Sequence, residues 1–198
     1  MSQRPPSRRD SRRTEILKSA AAAFRRRGYH GASVEEIADS LRMTKGSLYY
    51  YFRSKEELLF FCHDWSLDLL LAALRDAQAR EARPDTRLRG LIVAFVHMIL
   101  DELHGTALTL DPQALSPPLL ERVIAKRDAF DQGLRGILQD GISEGLFAAG
   151  DPKLLSFAIL GAVNWIPRWF DPRGPATSQE IAEQFADYLV NGLRPSAS

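Results

Sequence analysis

Any chemistry in this chain has to come from a few polar residues whose spacing brings them together. His97, Asp101 and His104 fall at i, i+4 and i+7. On a helix they would share one face and offer two imidazoles and a carboxylate to a single metal ion. Zinc or nickel held there would be structural, sensory or hydrolytic. The competing reading sets His97 on a core or pocket wall, with Asp101 and His104 solvated near the helix end. Cys62 and His63 are adjacent, and adjacent residues on a helix face different sides, so they cannot pair as nucleophile and base by themselves. No nucleophile elbow, phosphate loop or cofactor fingerprint accompanies these residues, and catalysis is not expected.

A second group has another character. The run Thr44-Lys-Gly-Ser-Leu-Tyr-Tyr-Tyr-Phe-Arg-Ser-Lys55 mixes cations, hydroxyls and aromatic rings. Leu48 and Phe52, four apart, suit the buried side of a short helix, which leaves Lys45, Ser47, Tyr49 and Tyr50 facing outward. Outward tyrosines beside Lys45, Arg53 and Lys55 suit a phosphate-lined surface. Their hydroxyls can donate to phosphate oxygens, and their rings can meet sugars or thymine methyls. The alternative for Tyr50 or Tyr51 is partial packing on the preceding helix.

Charge is divided in the same direction. Net charge is only +1. Residues 1–55, however, carry 13 Lys/Arg against 5 Asp/Glu, while residues 56–198 carry 13 against 20. A basic head on an acidic body is the asymmetry expected where one end meets a polyanion. Cys62 is the single cysteine, which rules out an intrachain disulfide and suits a reducing cytoplasm. The opening residues are polar and basic with no apolar segment behind them, so no signal peptide is expected, and no stretch reaches the length of a membrane span.

The elements that must position these residues all read as helices. Residues 1–10 form a basic arm expected to be disordered. A first helix is expected from Ser11 to Arg27, with Ile16, Ala20, Ala23 and Phe24 as its apolar stripe and Gly28 as its stop. Ser33-Val-Glu-Glu36 and Ser54-Lys-Glu-Glu57 both have capping-box spacing. They open a second helix, with Val34, Ile37, Ala38 and Leu41 buried, and a long fourth helix reaching about Ala82. Thr44 to Phe52 is the short third. Further helices are expected near 86–104, 117–144, 152–170 and 178–193, the third of these started by Asp151-Pro152. The fold class is therefore all-α, with about nine helices. A three-helix helix-turn-helix unit is expected over residues 11–56, and a second helical domain over 57–198.

Taken together, Ile37-Ala38, the run Thr44 to Phe52, and Ser54-Lys-Glu-Glu-Leu-Leu59 resemble the TetR family of bacterial repressors over about residues 12–60. The resemblance implies that Ser33 lies near a DNA phosphate at a helix start and that Thr44 belongs to the DNA-binding set. Lys45, Gly46 and Ser47 would approach base edges. Tyr49, with Tyr50 and Tyr51, would grip the backbone, and Lys55 would meet a phosphate beside a helix N-terminus. Two positions depart from the family pattern. Leu41-Arg42 stands where Ala-Gly is common in the turn, so a side chain must be accepted where glycine is easiest, and Tyr51 replaces a frequent histidine.

For the body, the resemblance implies a homodimer through the last two helices and a palindromic operator with reading helices roughly 34–36 Å apart. Leu154, Leu155, Ala158, Gly161, Ala162 and Trp165 form one apolar strip, and Ile181, Phe185, Tyr188 and Leu189 another. Either face could instead close the monomer core. A small-molecule effector would be enclosed by Phe95, His97, Met98, Phe130, Leu134 and the helix bearing Asn164, Trp165, Arg168 and Trp169. The segment Gly161 to Pro172 resembles the matching helix of family members that answer to fatty or steroid-derived acyl-CoA thioesters. There Arg168 would meet a phosphate, and Trp165 or Trp169 would cover an acyl chain or adenine ring. Pro167 should kink or end that helix. Another apolar or aromatic effector remains open, as do a ligand-independent DNA-binding protein and a metal-dependent enzyme.

Overall fold

The structure, a computed structural model, describes residues 8–102 and 112–195. Among them are eight α-helices and no strand: α1 (Arg8–Gly31), α2 (Val34–Ser40), α3 (Lys45–Tyr49), α4 (Lys55–Ala79), α5 (Pro84–His97), α6 (Pro117–Ser143), α7 (Pro152–Trp165) and α8 (Ser178–Asn191). The chain divides into two compact units, residues 1–66 with 103–123 and residues 67–102 with 124–198. The division between the first two segments falls within α4.

In the first unit α1 begins three residues before the expected Ser11. Part of the expected arm is thus helical, and Asp10 sits in the first turn, where the helix dipole favours an acid,. Residues 1–7 lie outside the described residues. The stripe Ile16, Ala20, Ala23 and Phe24 is buried as its spacing requires. Gly28, at φ +70 and ψ 170, breaks the helix where a stop was expected, and one further turn follows to Gly31. Val34, Ile37 and Ala38 of α2 close over this stripe, and Leu48 and Phe52 fill the core beneath α3. Removing the Phe52 ring would cost about 3–5 kcal/mol. Cys62 is buried, its thiol donating weakly to the Leu17 carbonyl at 3.5 Å, and burial pushes its pKa up.

Both expected capping boxes are half built. The Ser33 hydroxyl accepts from the Glu36 N–H at 3.0 Å, but the Glu36 carboxylate turns to Arg26 and Arg27. The Ser54 hydroxyl accepts from the Glu57 N–H at 3.0 Å, while the Glu57 carboxylate accepts from the Arg53 N–H.

In the second unit α8 packs against α5. It buries Ile181, Ala182, Ala186 and Val190, and Arg89 of α5 pairs with Glu183 and with Asp187, the latter at 2.8 Å. Thr177 and Glu180 form a full reciprocal capping box at the start of α8. Asp151 caps α7 by accepting from the Lys153 N–H at 2.8 Å, with Pro152 at the first position. A partly buried network joins α6 to α7. Ser156 donates to Asp131 at 2.7 Å, and the same carboxylate holds Arg135.

Two helices end earlier than expected. The expected helix 152–170 stops at Trp165, and a 3-10 turn over Ile166–Arg168 contains Pro167. The expected helix 86–104 stops at His97 and continues as a π-helical turn, Met98–Glu102. His97 ends α5, and the backbone of Asp101 lies within that turn. His104 and the Asp101 side chain lie outside the described residues. Among the described residues no three His, Cys, Asp or Glu side chains cluster as metal ligands, and none of the described helices is long and apolar enough to cross a membrane.

Candidate nucleic-acid interface

The interface is built on α2, the turn after it, and α3. Thr44 caps α3 by accepting from the Ser47 N–H at 3.1 Å, and its hydroxyl also shares a 2.8 Å bond with the Ser47 hydroxyl. This fixes the leading end of a five-residue helix that propensity alone would not hold. Thr44, Lys45, Gly46, Ser47, Tyr49 and Tyr50 are exposed, and Leu48 is buried, matching the inward and outward sides expected from spacing. Open space lies where a Cβ would stand on Gly46, apart from the Thr44 hydroxyl at 3.9 Å. Tyr50 is 70% exposed, and its ring meets that of half-buried Tyr51 edge-on at 5.4 Å.

The turn joining α2 to α3 carries the strain its sequence foretells. Arg42 adopts φ +53, a left-handed conformation that side chains other than glycine rarely take,. Three backbone bonds lock it, including Met43 N–H to the Ala38 carbonyl at 2.9 Å. From α1, Arg12 donates to the Leu41 carbonyl at 3.0 Å and so ties the turn to the supporting helix.

Electrostatics distinguish the two expected cationic contacts. Lys45 pairs with Glu35 across the turn at 2.5 Å. Its hydrogen bond holds the Glu35 carboxyl below the usual carboxylate range and raises the Lys45 ammonium. Lys55, at the start of α4, lies over the Tyr29 ring at 4.6 Å and donates to the His30 carbonyl at 3.4 Å. Burial, and then the Glu56 carboxylate, raise the Tyr29 phenol. Glu56 itself accepts from the Ser116 N–H at 2.7 Å, which lowers its pKa.

The nine expected pocket residues divide in the second unit. Phe95, Met98, Phe130 and Leu134 are buried, the two phenylalanine rings meeting edge-on at 5.7 Å. His97 is half-buried, whereas Asn164, Trp165, Arg168 and Trp169 are exposed. Arg168 lies over the Trp165 ring at 5.9 Å, and Trp169 stacks on Phe185 at 6.0 Å. Sequence reasoning missed the Glu35–Lys45 pair and the Arg12 tether. Both join residues far apart in sequence, across a turn or between helices, where no local spacing announces them.

A short exposed helix behind a tight turn, braced by two apolar helices, defines a DNA-binding regulator of the helix-turn-helix class. Residues 16–60 match the family model described as bacterial regulatory proteins, tetR family, and residues 81–193 match a tetracyclin repressor-like C-terminal domain. The chain belongs to the TetR family of transcriptional repressors, and is a regulator rather than an enzyme. It is similar to the transcriptional repressor KstR2 of Mycobacterium tuberculosis, with 31% identity over 188 residues covering 93% of this chain and 94% of the relative. The solved structure of that ketosteroid regulator aligns with a TM-score of 0.82 over 94% of this chain and 97% of its own. PfmR from Thermus thermophilus aligns at 0.78 with 33% identity, covering 91% and 99%. AibR, solved in complex with isovaleryl coenzyme A and operator DNA, aligns at 0.77 with 32% identity, covering 93% and 98%.

Proposed function

We propose that this protein is a homodimeric, ligand-released repressor that reads a palindromic operator with α3 and answers to an acyl-CoA-like effector. The observation that carries the DNA half is the capped, exposed face Thr44, Lys45, Gly46, Ser47, Tyr49 and Tyr50 over the buried pair Leu48 and Phe52. Lys45 and Ser47 read base edges. Ser33, Tyr49, Tyr50, Tyr51 and Lys55 hold phosphates, Lys55 beside the N-terminus of α4.

Dimerisation is supported by apolar surface left open on α7 and α8. Leu154 is 65% exposed, Trp165 62% and Tyr188 72%, and nothing lies within 4 Å of a Cβ placed on Gly161. Large exposed side chains around a small-residue strip suit a second helix pair. The effector class is supported by AibR with its bound thioester and by the Arg168–Trp165 contact, which pairs a phosphate-binding cation with a flat ring. Such an effector releases DNA only by binding the DNA-incompetent form more tightly.

The test has two stages. Selection from genomic fragments should yield a palindrome that the protein protects from nuclease. Isovaleryl-CoA, longer acyl-CoAs, free CoA and the free acids are then titrated into that complex. Release by acyl-CoA but not by CoA or acid supports the reading. Release by an unrelated aromatic compound alone would replace the effector class and leave the repressor intact. A cytoplasmic location follows from a DNA target.

A further inference from the structure

Three arginines of the first unit line one cleft at the trailing end of α3. The cleft, about 410 Å³, is formed by Arg9, Arg13 and Arg53 with Tyr50, Tyr51 and the acids Asp10 and Glu57. Arg9 lies over the Tyr50 ring at 5.6 Å, and Arg13 over the Phe61 ring at 4.1 Å. A guanidinium stacked on a ring keeps its N–H edge free for a planar or tetrahedral anion. Elsewhere in the unit, Arg12, Arg26, Arg27 and Lys45 are in ion pairs. Among the described residues, Arg9, Arg13 and Arg53 pair with no carboxylate. Glu57 is engaged by the Arg53 backbone N–H. Three guanidinium groups against the carboxylates of Asp10 and Glu57 leave the cleft with one positive charge in excess, which favours a singly charged anion,.

Position says which anion. The DNA major groove is about 12 Å wide and bordered by phosphates on both sides. A five-residue helix is only about 7.5 Å long,. Its backbone anchors must therefore come from groups beyond its two ends. Tyr50, Tyr51 and Arg53 follow the trailing end of α3, and Arg9 and Arg13 line the same cleft beside them.

We propose that Arg9 and Arg53, with Tyr50 and Tyr51, clasp one backbone phosphodiester of duplex DNA, Arg13 setting the charge of the cleft from its seat on Phe61. This rests on the reading that α3 enters the major groove. Arg9 and Arg53 are exposed, so replacing them leaves the core intact.

The test uses the full chain and a random-sequence duplex of about 30 base pairs, with binding followed by anisotropy over a series of salt concentrations. The double variant Arg9→Gln/Arg53→Gln should bind more weakly, with a log-affinity against log-salt slope shallower by about 0.9 for each phosphate lost. Inorganic phosphate alone should give no calorimetric binding to the wild type. A wild-type slope in the double variant, while Lys45→Gln weakens binding, overturns the clasp and leaves the groove reading standing. Binding of inorganic phosphate that the double variant abolishes without changing the DNA slope assigns the cleft to a free anion and also overturns it. No salt-dependent binding of any duplex by the wild type overturns both readings.

Discussion

The Lys45 ammonium, on the helix that faces DNA, is held at 2.5 Å by the Glu35 carboxylate. A base edge or phosphate that takes Lys45 must displace this acid, which then stands as a like charge beside the DNA backbone. Glu35→Gln should raise affinity for generic duplex about threefold to tenfold and blunt discrimination between operator and random sequence. Anisotropy with both duplexes checks it; unchanged affinity for both would mean that the pair dissolves freely on binding.

The same pair has a pH signature. Because the folded Glu35 pKa is lowered, its contribution is present above the ordinary value of 4.5 and lost as pH falls through the lower folded value,. An NMR titration should place its midpoint below 4.5. Lys45→Ala should return it toward 4.5.

Tyr49→Ala and Lys55→Ala should each weaken operator binding, and Lys55→Ala should also lower the salt slope by about 1. Lys55 already rests on the Tyr29 ring, so Tyr29→Leu should mimic part of its loss by freeing the ammonium to wander. Gel shifts at several salt concentrations separate a lost contact from lost positioning.

Arg42→Gly should stabilise the free protein by about 0.5–1 kcal/mol, because glycine takes φ +53 without the steric cost of a side chain,. Calorimetry gives the sign directly. A fall in melting temperature would show that the Arg42 side chain contributes more than its backbone costs.

Ser156→Ala should destabilise by about 1–3 kcal/mol, since Asp131 loses a buried donor at 2.7 Å and keeps only Arg135 on that side,. Gly161→Ala should leave the fold unchanged and Gly161→Trp should yield a monomer, by light scattering, if α7 forms the dimer seam.

Much of the first unit was legible because its signals are local. Ile16, Ala20, Ala23 and Phe24 repeat at helical spacing and are buried, and Ser33 and Ser54 sit where a helix must begin. Arg42 could be read as a strained turn because glycine is absent there. The partner of each carboxylate was not legible. Glu36 and Glu57 each chose another donor, because a side chain with several rotatable bonds goes to the nearest strong charge or free N–H rather than to the motif's partner. The π-helical turn after His97 had no sequence signal, since no residue type in Met98–Glu102 marks the change from 3.6 residues per turn,. In the second unit, burial of Phe95 and Phe130 beside exposure of Trp165 and Trp169 depends on which faces meet across the tertiary fold. Periodicity says only that a face is apolar.

Cys62 carries a practical consequence of its burial. A thiol packed in the first unit, with its pKa raised and its hydrogen directed at the Leu17 carbonyl, reacts with a disulfide reagent only when that unit opens. As the single cysteine of the chain, it is an unmodified reporter of DNA-head opening. Its trapping rate, timed with and without DNA, reads the protection that binding confers on the head alone, while far-ultraviolet ellipticity reads both units together.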